Sequence, residues 1–195
     1  MHLLVDSTGL KFLGESEWKR KKHQPEYRCQ WCKLHISIDA ETLQIRAVQL
    51  TTNNVSDSQV LGDVLDQIPP DERIDSVYTD RAYDTKCCRQ LISDRRAHAV
   101  IPPRKNAKPW KNQKTGSLER NELLKTVKYL GRAVWKKWSG YHRRSLVETK
   151  MHCIKLLGEK LTARCFPSQV NEIHARVAVL NQFTELGRPH TQIVT

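Results

Sequence analysis

Three carboxylates occupy positions from which a folded chain could do chemistry. Asp6 closes the apolar run at residues 2–5, Asp80 closes the short run "IDSVYTD", and Glu148 lies within "YHRRSLVETKMHCIK", residues 141–155. On a helix turning 100° per residue, Tyr141, Arg144, Glu148 and Lys155 fall within about 60° of one another. Leu146, Val147, Cys153, Ile154, Leu157 and Leu161 gather on the opposite side, so such a helix buries one face and presents an acid flanked by donors on the other. A charge stripe of this kind is ordinarily a solvated face, and acids at strand ends ordinarily shape turns. If the three acids converge, their mutual repulsion raises at least one pKa unless cations intervene. Hard oxygen donors suit Mg²⁺ or Mn²⁺. Two such ions roughly 3.5–4 Å apart serve phosphoryl transfer.

The elements that must carry these residues follow from periodicity. "HLLVD" reads as a strand that breaks at Asp6-Ser7-Thr8-Gly9, where short polar residues and glycine favour a bend. "KLHISID" and "QIRAVQLTT" alternate apolar and polar residues and predict two adjacent antiparallel strands. Val60, Leu61, Val64, Leu65 and Ile68 recur at helical spacing after a cap at Asp57 or Ser58, and Pro69-Pro70 ends that helix. "IDSVYTD" is a fourth strand, residues 85–96 a second helix, and "AHAVIPP" a fifth strand. The order predicts a mixed five-stranded sheet flanked by helices, in which the first and fourth strands can be neighbours and so set Asp6 beside Asp80. A basic, partly helical insertion at 104–139 precedes the helix of Glu148, and residues 168–186 form a last amphipathic helix. Residues 188–195 read as a tail, and the whole chain, 1–195, as one domain.

A net charge of +12, from 33 Lys and Arg against 21 Asp and Glu, points to a polyanionic partner. Between Arg104 and Ser139 eleven Lys or Arg face only Glu119 and Glu122, with Trp110, Trp135 and Trp138 interleaved. Cations alternating with flat rings suit phosphate contact and base stacking, although tryptophans in such a segment usually pack on the core. No run approaches the roughly 18 apolar residues of a membrane span, and no leader pattern opens the chain, so a cytoplasmic protein is expected. Six scattered cysteines do not form a secreted disulfide framework. The single C-x-x-C at Cys29 and Cys32 lacks a second pair at zinc spacing, and His35 falls in a strand, so both cysteines read as incidental.

Tyr141-x2-Arg144-x3-Glu148-x6-Lys155 resembles the signature helix of the DDE transposases of bacterial insertion sequences, with every spacing kept. "LVDSTGLK" and "YTDRAYD" look like that family's blocks around its first two catalytic aspartates, and "KLHISID", "LTTNNVSDSQVL", "IPPRKNAK" and "SGYHRRSLVET" extend the likeness over nearly the whole chain. The resemblance implies a ribonuclease-H-like fold, with Asp6, Asp80 and Glu148 as a catalytic triad holding two Mg²⁺ or Mn²⁺ ions. It implies cleavage of double-stranded DNA at the element's ends, followed by attack of the freed 3′ hydroxyl on target DNA. Tyr141, Arg144 and Lys155 then become DNA contacts, joined by the basic residues Arg104, Lys105 and Lys108, and a homo-oligomer on DNA is expected. Met1 stands only five residues before Asp6, where the family carries an end-binding region. A shortened chain that binds DNA without cutting it and interferes with the full-length enzyme is the alternative expectation.

Overall fold

The computed structural model describes residues 1–12, 31–111 and 114–187. Cys29, the basic loop before it and the expected tail at 188–195 lie outside the described residues. A mixed sheet of six strands is flanked by six helices among the described residues. β1 (His2–Phe12), β2 (Trp31–Asp39) and β3 (Ile45–Thr52) form an antiparallel meander. β4 (Ser76–Tyr78) pairs parallel to the start of β1, and β5 (His98–Val100) pairs parallel to β4, giving the order β3-β2-β1-β4-β5. The first and fourth strands are therefore neighbours, as the order of elements allows.

Two expectations for the sheet need correction. A sixth strand, β6 (Lys160–Leu161), pairs parallel to Lys11 and Phe12, so the sheet is not five-stranded. β1 also does not break at Asp6-Ser7-Thr8-Gly9 but pairs with β2 from Leu3↔Asp39 to Lys11↔Trp31. Cross-strand packing overrides the local turn preference here. Gly9 lies under the ring of Trp31, where a Cβ would come within 3.1 Å of a ring carbon. Because β4 flanks only the first residues of β1 and β6 only the last, residues 5–10 have no strand partner on that edge among the described residues.

Both faces of the sheet are covered, which explains the near-continuous apolar reading of its strands. Leu3, Val5, Val77 and Ala99 pack against α1 (Asp57–Asp66) and α2 (Lys86–Asp94) through Val60, Leu61, Val64, Cys88 and Ile92. Ser56, not Asp57 or Ser58, caps α1, and its backbone N–H donates to Gln59 Oε1 at 2.9 Å. Thr85 caps α2 by accepting from the Cys88 N–H. On the other face Leu4, Leu10, Leu34, Ile36 and Val48 meet α5 (Ser145–Leu156) and α6 (Phe166–Leu186).

The 104–139 segment folds as α3 (Thr115–Leu130) and α4 (Arg132–Trp138), separated at Gly131, whose φ of +83° suits glycine and not a β-branched or bulky residue. After Gly140, at φ +66°, residues Tyr141–Arg144 form a single 3-10 turn, and only then does α5 begin. The helix expected over 141–155 is thus two pieces, and Glu148 sits in the first turn of α5 instead of midway along it. Val147, Met151 and Ile154 bury its inner face. Burial of three such side chains is worth on the order of 5 kcal/mol, enough to hold the helix on the sheet. Leu157 is largely exposed and Leu161 belongs to β6, so neither extends that face.

Candidate active site

Alternation along β1 puts the Asp6 side chain on the face of Leu4 and Leu10, the face that α5 covers. The Asp6 side chain is 12% exposed. Its Oδ1 accepts from the backbone N–H of Ser7 at 2.9 Å, and its Oδ2 accepts from Nη2 of Arg144 at 2.5 Å. Nη1 of the same guanidinium donates to Oε1 of Glu148 at 2.8 Å. Arg144 is the last residue of the 3-10 turn and Glu148 lies four residues on, so the pair spans one turn as α5 starts. One cation thereby joins two acids that are 142 residues apart in sequence. The Nε of Arg144 is buried without a hydrogen-bond partner among the described residues.

Asp80 follows β4 and caps a second 3-10 turn, Arg81–Tyr83, its Oδ1 accepting from the Ala82 N–H at 2.8 Å. No hydrogen bond joins it to Arg144, but its charge is felt nearby. Burial pushes the Asp6 carboxyl up, Arg144 pulls it down, and Asp80 adds a further upward push, with the net result above the usual carboxylate range. The Tyr141 phenol reports the same convergence. It is raised first by burial, opposed by Arg144, and raised further by Asp80, Asp6 and Glu148. The three acids proposed from sequence therefore share one electrostatic neighbourhood.

They do not share one coordination sphere. Among the described residues no group of three or more His, Cys, Asp or Glu side chains is arranged to hold a metal ion. Asp6 and Glu148 instead converge on a guanidinium. The donor chemistry nonetheless suits a hard cation: two anionic carboxylates already turn toward one positive charge, with a third acid close by.

A cavity of about 440 Å³ opens beside this cluster, lined by Lys136, Lys137, Tyr141, His142, Arg144, Ser145 and Glu148. Tyr141 is held by Trp135, ring centroids 5.6 Å apart, and Lys136 Nζ stands 5.6 Å from the Tyr141 ring centroid. Lys155 lies in the last turn of α5, two turns beyond Glu148 and on the same stripe. Lys105 and Lys108 are exposed. Arg104 is exposed too, yet its guanidinium donates to the carbonyls of Arg81 and Ala82 and so grips the Asp80 turn. Of the three tryptophans in the basic segment only Trp135 is buried in the core. Trp138 is 78% exposed, and Trp110 lies under the Arg120 guanidinium, 3.9 Å from its ring centroid.

Sequence reasoning missed Lys136, Lys137 and His142 as lining residues, because their approach depends on the chain reversal at Gly140. It also missed Asp84, Arg89 and Arg120, which meet beneath the Asp80 turn. A signal for Arg89 was available: it shares the buried face of α2 with Ile92, and a charge on an apolar face demands a partner.

Fold and site together define a class, an α/β protein that gathers acidic side chains from a strand, a strand-ending turn and a helix beside a basic cleft. The chain belongs to the transposase DDE domain family, whose model matches residues 1–182. Membership implies transposase function and DNA as the substrate. No helix among the described residues is long and apolar enough to cross a membrane.

Proposed function

We propose that this chain carries out divalent-metal-dependent cleavage and strand transfer on double-stranded DNA at the ends of a bacterial insertion sequence. In this reading the sheet and its helices are a ribonuclease-H-like fold, and Asp6, Asp80 and Glu148 form the metal-holding triad. The observation that carries the proposal is the Arg144 guanidinium bridging Asp6 and Glu148 while Asp80 perturbs Asp6 from close by. Acids from three distant segments have no structural need to meet at a surface cleft, since each is individually cheaper in water. At such a site a pair of Mg²⁺ or Mn²⁺ ions supplies activation of the attacking oxygen and stabilisation of the leaving one.

The remaining work falls to the chain's own residues. Arg144, Lys136 and Lys137 line the cleft and offer donors to the scissile and flanking phosphates. Tyr141, propped by Trp135, presents a ring to sugar or base, and Lys155 continues the contact along the stripe. Arg104, Lys105 and Lys108 extend the positive surface. Asp6 is the most enclosed of the acids and Glu148 the most open, at 57% side-chain exposure, so Glu148 is the member free to reorient when substrate enters.

The test is cleavage of a duplex carrying the element's end, with Mg²⁺ or Mn²⁺, by Asp6→Asn, Asp80→Asn and Glu148→Gln. All three are expected to lose nicking while still binding duplex. Retention of full nicking by any one removes that residue from the triad. The Arg144 bridge also favours a second reading, a chain that binds DNA without cutting it. Salt-sensitive DNA binding with no metal-dependent nicking by the parent chain selects that reading.

A further inference from the structure

The turn that begins at Asp80 ends, four residues later, in a second acid with the opposite setting. The Asp84 side chain has no exposed surface. Its Oδ1 accepts from Nε of Arg89 and from Nε of Arg120, each at 2.9 Å. Its Oδ2 accepts from Nη2 of Arg120 at 3.0 Å and from the backbone N–H of Arg104 at 3.3 Å. Burial pushes this carboxyl up, but the Arg120 hydrogen bonds and the two guanidinium charges outweigh it and hold the group below the usual range.

The arginines are themselves tied to the chain that follows β5. Arg89 donates to the Ile101 carbonyl and Arg120 to the Lys108 carbonyl, while the Arg120 plane rests on Trp110. Asn121 pairs with both backbone groups of Trp110, which closes the loop onto α3. Where α3 meets α2 the helices touch so closely that a Cβ on Gly116 would lie 2.6 Å from the Arg89 carbonyl oxygen. Arg104 holds the turn from outside through the Arg81 and Ala82 carbonyls. Three arginines from α2, from the loop after β5 and from α3 therefore grip one short turn whose other end is Asp80.

We propose that Asp84 is a positioning residue that locks the basic residues 104–111 and 114–130 and the Asp80 turn into one rigid body, so that DNA held by the basic residues meets the acids in register. The functional half rests on the cleavage reading above, and the mechanical half stands without it. Arg120 is buried, so replacing it leaves the phosphate-facing charge of the surface unchanged.

Hydrogen exchange and single-turnover cleavage of Arg120→Met and Arg120→Lys in the full chain test the proposal, with affinity for a fluorescent duplex measured alongside. In Arg120→Met, amides of 104–111, of 114–121 and of the turn at 80–85 are expected to exchange at least about tenfold faster while β3 and α1 stay protected. Duplex affinity should hold within about threefold, because no surface cation is lost. The single-turnover rate at saturating DNA should fall by at least about tenfold, since small misplacements of reacting groups are costly. Arg120→Lys, which restores the charge but not the fork, should recover part of both effects. Faster exchange at 104–111 and 114–121 with an unchanged turn, or with an unchanged cleavage rate, overturns the proposal. If the parent chain itself does not cleave, the cleavage reading fails, and coupled exchange of the two segments alone decides the mechanical half. If Arg120→Met does not fold, the same amides read in Arg120→Lys decide it.

Discussion

Two clusters of charge lie at either end of one five-residue stretch, and their stoichiometries are inverted. Around Arg144 one guanidinium serves two acids, Asp6 and Glu148, with Asp80 adding negative charge nearby. Around Asp84 one carboxylate serves two guanidiniums, Arg89 and Arg120, with the Arg104 N–H adding a third donor. The first cluster is acid-rich and opens to a cleft. The second is base-rich and sealed. An excess of acid at an open surface can exchange the cation that satisfies it, whereas a buried acid gripped on every side has no alternative partner. Exposure and the ratio of charges, more than the presence of ion pairs, separate a region built to change partners from one built to stay.

Breaking the sealed cluster should have the largest effect on stability. Asp84→Ala leaves two buried guanidiniums unpaired and is expected to cost about 3–5 kcal/mol in urea unfolding. An unaltered midpoint would show that the arginines find other acceptors. At the open cluster the main loss should appear in activity. Under the proposed triad, Asp6→Asn or Glu148→Gln is expected to cost several kcal/mol in the transition state, a loss of at least roughly a hundredfold in metal-dependent nicking. Stability should move little there. Asp6→Asn is expected within roughly 1 kcal/mol of the parent and on the stabilising side at neutral pH, as happens where a functional acid is held against its preference.

The smallest and sharpest contrast is one of sign on acidification. Asp84 has its pKa lowered from 3.8, so its stabilising contribution is present above that value and is lost as pH falls through the lower, folded-state value. Asp6 has its pKa raised from 3.8, so its ionised form costs stability at neutral pH, and the cost disappears as pH falls through the raised value toward 3.8. Unfolding of the parent and Asp6→Asn, followed from neutral pH downward, should show their difference shrinking before any loss attributable to Asp84 begins. A difference that grows on acidification would reverse the assigned shift at Asp6.

The adjacency of β1 and β4 was legible because alternation and element order leave few ways to stack these strands. The pairing of Arg144 with Glu148 was legible from the spacing of one short stretch, whereas the approach of Asp6 to them was suggested only by the family resemblance. The course of β1 past Asp6 was not legible, since Ser7, Thr8 and Gly9 speak for a turn locally while the partner strand and the Trp31 ring decide otherwise. The split of the 141–155 helix between Arg144 and Ser145 was likewise hidden by a wheel that assumes uniform rotation. Arg144 as a bridge, and Asp84 with its arginines, arise from contacts across many residues of sequence, which no local period encodes.

The uneven flanking of β1 carries a hazard of its own. Between the reach of β4 and that of β6, the backbone of residues 5–10 meets no strand on that edge among the described residues, while α5 and its preceding turn contact β1. Heat or a core substitution that lifts α5 opens access to a row of backbone donors and acceptors that no strand engages on that edge among the described residues, which is a template for pairing with another molecule. Aggregation of this chain should therefore begin at the strand of Asp6, and the helix that completes the acidic cluster also keeps the molecule apart from its copies.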